Sequence, residues 1–278
     1  MSDVKISASE VKKLRDMTGA GMMDCKKALK ESNGDFDAAI EFLRKKGQKL
    51  SAKRADRDAK EGCVIALVSD DNSKGVVLRL SCETDFVSKN EDFVALTNKI
   101  AELALSKFPE SKEALLQEDF EGITLDEKIV EQTGVIGEKV ELAAYSRLEA
   151  PMVVPYIHMG NRAAVIVGLS KASDSFIEAG KDVAMQVAAM NPVALNEDGV
   201  SQDVIKKEIE IGMDMARQEG KPEAMLERIA TGKLNKFFKD NTLVNQMFVK
   251  NNKQTIADFL KGIDSELEVI GFEHIKLG

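Results

Sequence analysis

The chain has 278 residues, of which 44% are apolar and 31% charged, and its formal net charge is -8. This length exceeds the usual size of a single hydrophobic core, so we expect two or three packed units. The negative charge argues against strong attraction to nucleic acid or to an anionic membrane, and a protein partner fits better. The three cysteines lack metal-ligand spacing, the first residues do not resemble a signal peptide, and the apolar stretches are too short to span a bilayer. We therefore expect a cytoplasmic protein without a membrane segment, a metal or a cofactor.

The first fifty residues predict three short helices. Ser7 begins the first helix with a capping box, Asn33 and the following glycine stop the second, and Asp35 caps a third that should end at Gly47. Residues 45–60 then form a basic run that we interpret as a solvated linker with some helical content. A nucleic-acid tail is the less favoured alternative, because acidic residues interrupt the run and no aromatic residue is available for base stacking.

From Gly62 onward the apolar residues no longer follow the helical period and instead follow the period of strands. A hairpin is predicted over 63–68 and 76–82, and amphipathic helices capped by Asn90 and Thr124 follow it. Three further strands, at 140–149, 152–158 and 162–169, precede a helix that ends near residue 190. The order strand, polar loop, helix thus occurs twice, which suggests an internal duplication.

The last third of the sequence predicts two helices joined by a short turn at residues 220–222. Helices with so short a connection should lie antiparallel, and the narrow apolar stripe of this pair indicates a projecting insertion. A helix near 255–260 and an alternating strand at 267–277 complete the chain. The whole pattern predicts an α+β fold.

The most informative stretch of the sequence spans residues 79–89. A strand of buried character ends there and is followed by four residues that we call the tip segment: Thr84, Asp85, Phe86 and Val87. An aromatic ring beside a carboxylate in a connecting segment is typical of a surface that recognises a partner. The structural alternative folds Phe86 back against the following helix and uses Asp85 as a loop cap.

Met22 and Met23 are adjacent near the start of a helix, so they cannot both enter one narrow apolar stripe. Paired methionines beside a Gly-Ala-Gly turn make an adaptable contact surface, although packing of both into a small core stays open. His158 lies at a hairpin tip where a partner could reach it. His274, the only other histidine, is expected to be an ordinary residue of the last strand.

Catalysis by this chain has little support in its sequence. Neither histidine lies near a nucleophile elbow, a metal-ligand pair or a glycine-rich phosphate loop. Cys25 and Cys82 are expected to be small buried hydrophobic residues rather than nucleophiles. We therefore predict no catalytic residues.

Two motifs resemble the signatures of the bacterial elongation factor Ts family. The sequence LRDMTGAGMMDCKKAL at residues 14–29 is similar to the N-terminal signature, and CETDFV at residues 82–87 is similar to the second one. Together with the Tyr-Ile-His sequence that ends at His158 and the helical hairpin, the resemblance covers nearly the whole chain. Two positions depart from the family pattern: Arg79 replaces a common glutamate, and Met159 replaces a common glycine.

The resemblance implies a three-part organisation of the α+β fold. Residues 1–54 would form a three-helix domain of ubiquitin-associated type, residues 55–150 the first half of a core, and residues 151–278 a related second half. The helical hairpin would be inserted in the second half at about 193–240.

The resemblance also implies a guanine-nucleotide exchange factor that acts on elongation factor Tu in translation elongation, without covalent chemistry. The factor would bind the GDP-bound and nucleotide-free states of elongation factor Tu, with no direct contact to nucleic acid. Leu14, Met22 and Met23 would contact its G domain, the tip segment would approach its Mg²⁺ site, and His158 would touch the region that holds the phosphates. The alternative is a non-catalytic scaffold that uses the ubiquitin-associated-like domain, and an enzyme ranks third. Whether the chain forms a homodimer stays open.

Overall fold

The computed structural model describes residues 5–278 and has the predicted mixture of helices and strands. The chain divides into two compact units. The first comprises the residues up to Ile65 together with Leu78–Ser146 and Lys276–Gly278, and the second comprises Ala66–Val77 and Arg147–Ile275. Residues 1–4, the start of the polar N-terminal segment, lie outside the described part. Among the helices of residues 5–278, none combines the length and the apolar character that a bilayer crossing needs.

Three helices open the first unit, as predicted: α1 (Ala8–Thr18), α2 (Met22–Glu31) and α3 (Phe36–Arg54). The capping box of α1 is present, because the Ser7 N–H donates to the Glu10 carboxylate over 2.7 Å and the Glu10 N–H donates to the Ser7 hydroxyl over 3.2 Å. Gly19 ends α1 in the left-handed conformation at φ 68°. The three helices enclose a small core that includes Val11, Leu14, Cys25, Ala28 and Leu29.

The predicted hairpin consists of β1 (Glu61–Val68) and β2 (Lys74–Cys82). The chain continues through α4 (Asp85–Ser88), α5 (Glu91–Lys107), α6 (Lys112–Leu116), the two-residue strands β3 (Asp119–Phe120) and β4 (Ile123–Thr124), α7 (Leu125–Ile136) and β5 (Glu141–Glu149). Strands β1, β2 and β5 form one sheet in the order β1-β2-β5. The predicted caps at Asn90 and Thr124 are confirmed. Helix α6 and strands β3 and β4 were not predicted, because elements of two to five residues carry no measurable period.

Helix α3 does not end at Gly47 as predicted, and the helical part of the predicted linker is its first part, residues 45–54. The helix continues to Arg54, and Gly47 lies buried in its interior. The reason is a tertiary contact: a Cβ atom added to Gly134 of α7 would lie 2.7 Å from the Cα of Gly47. Glycine at this position therefore allows α3 and α7 to cross closely instead of ending the helix.

The second unit begins its main sheet with β6 (Met152–Ile157) and β7 (Ala163–Leu169). These strands are antiparallel, with Met152 opposite Leu169 and Ile157 opposite Ala164. The chain then forms α8 (Ile177–Met190), α9 (Gln202–Gln218), α10 (Glu223–Asn241), β8 (Met247–Phe248), β9 (Asn251–Thr255), α11 (Ile256–Ile263) and β10 (Val269–Lys276). The last strand joins the sheet in the order β10-β7-β6. His274 lies in β10, as predicted.

The core of the second unit lies between its sheet and the helices α8 and α11. Val183 and Val187 of α8 and Leu260 of α11 belong to one buried cluster with residues of β6 and β7. Helices α9 and α10 form the predicted helical hairpin. They approach so closely that a Cβ atom on Gly212 would lie 3.0 Å from the Cα of Ala230.

Candidate functional site

The tip segment is a single helical turn rather than the predicted loop. Thr84 is the residue before α4, and Asp85, Phe86 and Val87 lie in that turn. The Phe86 ring is 85% exposed, so it does not fold back onto the following helix. A phenylalanine exposed to this extent, on a turn of defined geometry, presents its ring to any partner that can bury it.

Asp85 forms an ion pair within the same turn. Its carboxylate accepts a hydrogen bond from Nζ of Lys89 over 2.7 Å, and this bond lowers the pKa of Asp85. Asp85 therefore carries a negative charge at neutral pH beside an apolar ring. The spacing of four residues between Asp85 and Lys89 is a signal in the sequence that our prediction did not use.

A hollow of about 330 Å³ lies beside Phe86. It is lined by residues of the tip segment, of α5 and of α7, among them Phe86, Val87, Phe93, Gln132, Val135 and Ile136. Five of the lining side chains are apolar, and the polar ones are Asn90, Asp92 and Gln132. A partner side chain that enters this hollow would contact both Phe86 and residues of α7.

Met22 and Met23 lie in the first turn of α2 and are both exposed, by 53% and 76%. We expected exposure of at least one, and neither packs into a core. They border a groove of about 720 Å³ whose other lining residues come from α1, α2 and the segment before α1: Ile6, Ala8, Val11, Lys12, Arg15, Asp16 and Lys26. Three of these residues are basic and one is acidic. The groove thus combines flexible methionine side chains with a lining that carries a net positive charge.

Leu14 is completely buried in the core of the three helices. No part of its side chain is accessible, so the structure does not support the predicted direct contact with a partner. The helical period explains its position, because Leu14 shares the inner face of α1 with Val11. Its role in this conformation is to support the surface that carries Met22 and Met23.

Helix α7 borders both exposed regions of the first unit. Val135 lines the hollow beside Phe86, and its Cγ1 would lie 3.6 Å from a Cβ atom added to Gly19, in the turn between α1 and α2. The turn that leads to Met22 and Met23 and the hollow at the tip segment are therefore linked by one side chain. Helix α7 therefore supports both regions within the first unit.

His158 lies in the second unit, where it follows β6 at an exposed turn. Its Nδ1 lies 3.0 Å from the hydroxyl of Tyr156, so the two side chains form a hydrogen bond. Gly160 closes the turn at φ 75°, and Met159 is 85% exposed. The imidazole is thus accessible and held by one neighbour. Its predicted role remains a prediction.

The three cysteines are buried. Burial raises the pKa of Cys25, and burial together with the charges of Glu138 and Glu61 raises the pKa of Cys82 to about 12. A thiol with so high a pKa is almost entirely protonated at neutral pH and is a poor nucleophile. The prediction that Cys25 and Cys82 are small buried hydrophobic residues is confirmed.

Two glutamates at the base of the tip segment were missed by the sequence analysis. Glu138 accepts hydrogen bonds from the backbone N–H groups of Glu83 and Thr84, over 3.1 and 3.0 Å, and one from the Thr84 hydroxyl over 2.7 Å. Glu83 belongs to the second signature, but nothing in the sequence indicated its partners. Glu138 is more than fifty residues away from the tip segment in sequence, so no local pattern could identify it.

Comparison with known proteins places these features in a family. The family model described as "Elongation factor TS" matches residues 83–278, which include the whole tip segment. A protein named elongation factor Ts from Christiangramia forsetii is 61% identical over 274 residues, covering 99% of both chains. Its namesake from Flavobacterium psychrophilum is 56% identical and covers 98% of this chain and 99% of its own. One from Chloroherpeton thalassium is 42% identical over 99% of both. The resemblance inferred from the two motifs is thus confirmed, and this chain belongs to the elongation factor Ts family.

Proposed function

We propose that this protein is a guanine-nucleotide exchange factor that binds elongation factor Tu and releases its GDP during translation elongation. The observation that carries the proposal is the exposed ring of Phe86, next to the charged Asp85, within the second family signature. Burial of a phenylalanine side chain contributes about 1.5–3 kcal/mol. The free protein lacks this contribution because the ring is exposed. The complex gains it when a partner covers the ring.

An exchange factor must bind the nucleotide-free state of its partner more tightly than the GDP-bound state. The effect is reciprocal, because a factor that weakens GDP binding by a given ratio is itself weakened by GDP in the same ratio. A shift of about 10⁴-fold corresponds to roughly 5.5 kcal/mol of differential contact. Burial of Phe86 together with a displaced Mg²⁺ ligand is of the right order to supply it.

Each predicted contact has a distinct role in this proposal. Phe86 acts as a wedge next to the Mg²⁺ site of elongation factor Tu, and Asp85 orients the displaced element through its charge. Met22 and Met23 hold the G domain, and His158 acts near the phosphate region. The three helices up to residue 54 correspond to the ubiquitin-associated-like domain. In this proposal residues 55–150 and 151–278 are the two related core halves, and the helical hairpin is the insertion in the second half.

The proposal is tested by stopped-flow measurement of fluorescent GDP release from elongation factor Tu, with and without the protein at saturating concentration. We expect a large acceleration that saturates with the concentration of the factor. Tight binding without any acceleration would remove the protein from the exchange-factor class.

A scaffold is the second candidate function, and the groove beside Met22 and Met23 favours it. An apolar groove with a basic margin can bind a peptide without any effect on a nucleotide. The two functions differ in their linkage to GDP. A scaffold binds elongation factor Tu equally well with and without GDP, whereas an exchange factor binds the nucleotide-free form much more tightly.

The double substitution Met22→Ala with Met23→Ala should weaken the complex with nucleotide-free elongation factor Tu about tenfold. Both side chains are exposed in the free protein, so their truncation removes contact area without disturbing a core. The dissociation constant can be measured by titration calorimetry. Met17→Ala is the matched control, because this methionine is 55% exposed but does not line the groove. A dissociation constant equal to that of the wild type would remove the methionines from the interface.

A further inference from the structure

The backbone that leads into the tip segment is fixed by the Glu138 carboxylate. One carboxylate oxygen, Oε2, accepts from the N–H groups of Glu83 and Thr84, and Oε1 accepts from the Thr84 hydroxyl. Threonine before a helix usually bonds with its hydroxyl to the first turn, but Thr84 makes no such bond. Its hydroxyl is instead committed to Glu138. The orientation of α4 is therefore determined from outside the turn.

The Glu83 carboxylate is directed to a different element, the C-terminal end of α3. It accepts from Nη1 of Arg54 over 2.5 Å, from Nη1 of Arg57 over 3.0 Å and from the backbone N–H of Lys139 over 2.6 Å. Burial alone would raise the pKa of Glu83, but these donors outweigh it and lower the pKa to about 2. The carboxylate is thus fully ionised at neutral pH.

Lys139 closes this network from the other side. Its ammonium group donates to the carbonyl oxygens of Ala55 and Arg57, over 2.9 and 3.1 Å, just beyond the end of α3. Residues 138 and 139 therefore bond both to the base of the tip segment and to the end of the helix that belongs to the N-terminal helical group. A single helical turn is not stable in isolation, so this network supplies order that α4 itself lacks.

We propose that Glu83 and Glu138 are positioning residues that hold Phe86 in its binding orientation and link the tip segment to the helices that carry Met22 and Met23. This inference rests on the proposed exchange function and adds to it the groups that orient the wedge. Linkage through α3 makes the two contact regions approach the partner as one body. Ordering the tip in advance removes an entropic cost at the step where GDP is released.

The test uses the full chain, which contains no tryptophan. Phe86→Trp places a single indole at the tip, and its fluorescence anisotropy reports local order without any partner. Adding Glu138→Gln should lower this anisotropy, because a neutral amide oxygen replaces the charged acceptor of the two N–H groups, and hydrogen bonds to a charged acceptor are about twice as strong. Glu141→Gln is the matched control, since Glu141 pairs with Lys139 but not with Glu83 or Thr84.

In the protein that keeps its native Phe86, Glu138→Gln should lower the maximal rate of GDP release about thirtyfold. The concentration of factor that gives half of the maximal rate should change little, because the methionine contacts are intact. A role in stability alone would instead shift the unfolding midpoint and leave the maximal rate of the folded protein unchanged. If Glu138→Gln does not fold, Arg57→Gln replaces it in the test. Its maximal rate of GDP release should fall only about threefold, because Arg57 is largely exposed.

Unchanged anisotropy together with an unchanged maximal rate in Glu138→Gln would overturn the positioning role. Failure of the exchange function has a different signature. In that case the wild-type protein does not accelerate GDP release at all, while Glu138→Gln still lowers the anisotropy at the tip.

Discussion

Phe86→Ala should lower the maximal rate of GDP release from elongation factor Tu about a hundredfold. Truncation of an aromatic side chain at the centre of an interface costs about 2–4 kcal/mol, and roughly 2.7 kcal/mol corresponds to a factor of one hundred in rate. The ring is 85% exposed in the free protein. Its removal should therefore change the free energy of unfolding by no more than about 0.5 kcal/mol. Stopped-flow release of fluorescent GDP and urea unfolding measure the two quantities.

Met190→Ala is the control for Phe86→Ala. Met190 ends α8 in the second unit, is 47% exposed and belongs to none of the predicted contacts. Its truncation removes exposed apolar surface outside the tip segment and should leave both the rate and the stability unchanged. GDP release by Phe86→Ala at the wild-type rate, with intact folding, would exclude the tip segment from the mechanism.

Gly134→Leu should destabilise the first unit by about 3 kcal/mol. A Cβ atom at this position would lie 2.7 Å from the Cα of Gly47, and this neighbour is backbone, which cannot rotate away. Overpacking of a close contact costs about 1–3 kcal/mol, and a leucine adds several atoms beyond the Cβ. Helices α3 and α7 must separate to accommodate it. Urea unfolding followed by circular dichroism measures the loss.

Gly232→Leu is the matched control, because Gly232 also lies inside a helix but has no atom within 4 Å of its added Cβ. Leucine has the higher helix propensity, so this change should stabilise the protein by about 0.5–1 kcal/mol. Equal effects of the two substitutions would show that the crossing of α3 and α7 is not tight. In exchange assays, Gly134→Leu should also raise the concentration of factor needed for half of the maximal rate, since α3 no longer holds the methionines in place.

The elements that could be predicted from the sequence are those fixed by local interactions. The capping boxes at Ser7 and Thr124 each involve two residues three positions apart, and both appeared as predicted. The end of α3 was missed because Gly47 has the sequence character of a helix terminus. Its actual role depends on Gly134, which is far away in sequence. Tertiary contact thus overrode the local signal.

The same distinction applies to the candidate site. Phe86, Met22 and Met23 were identified from their motifs, and all three are exposed. Leu14 lies in the same N-terminal motif, but the motif does not separate residues that face outward from residues that support them. Glu138 could not be found in this way, because its contribution to the tip exists only after α7 and β5 have brought it there.

The different accessibility of the two kinds of sulfur in this protein has a consequence for oxidative damage. All three thiols are buried, whereas the thioethers of Met22 and Met23 are open to solvent. Mild peroxide should therefore spare the cysteines and convert these methionines to polar sulfoxides. We expect peroxide-treated protein to lose affinity for elongation factor Tu as the double alanine variant does, and to regain it after treatment with methionine sulfoxide reductases. Persistent loss after reduction would mean that another oxidised group is responsible. The exposed thioethers that make this contact surface adaptable would therefore also make it sensitive to oxidants.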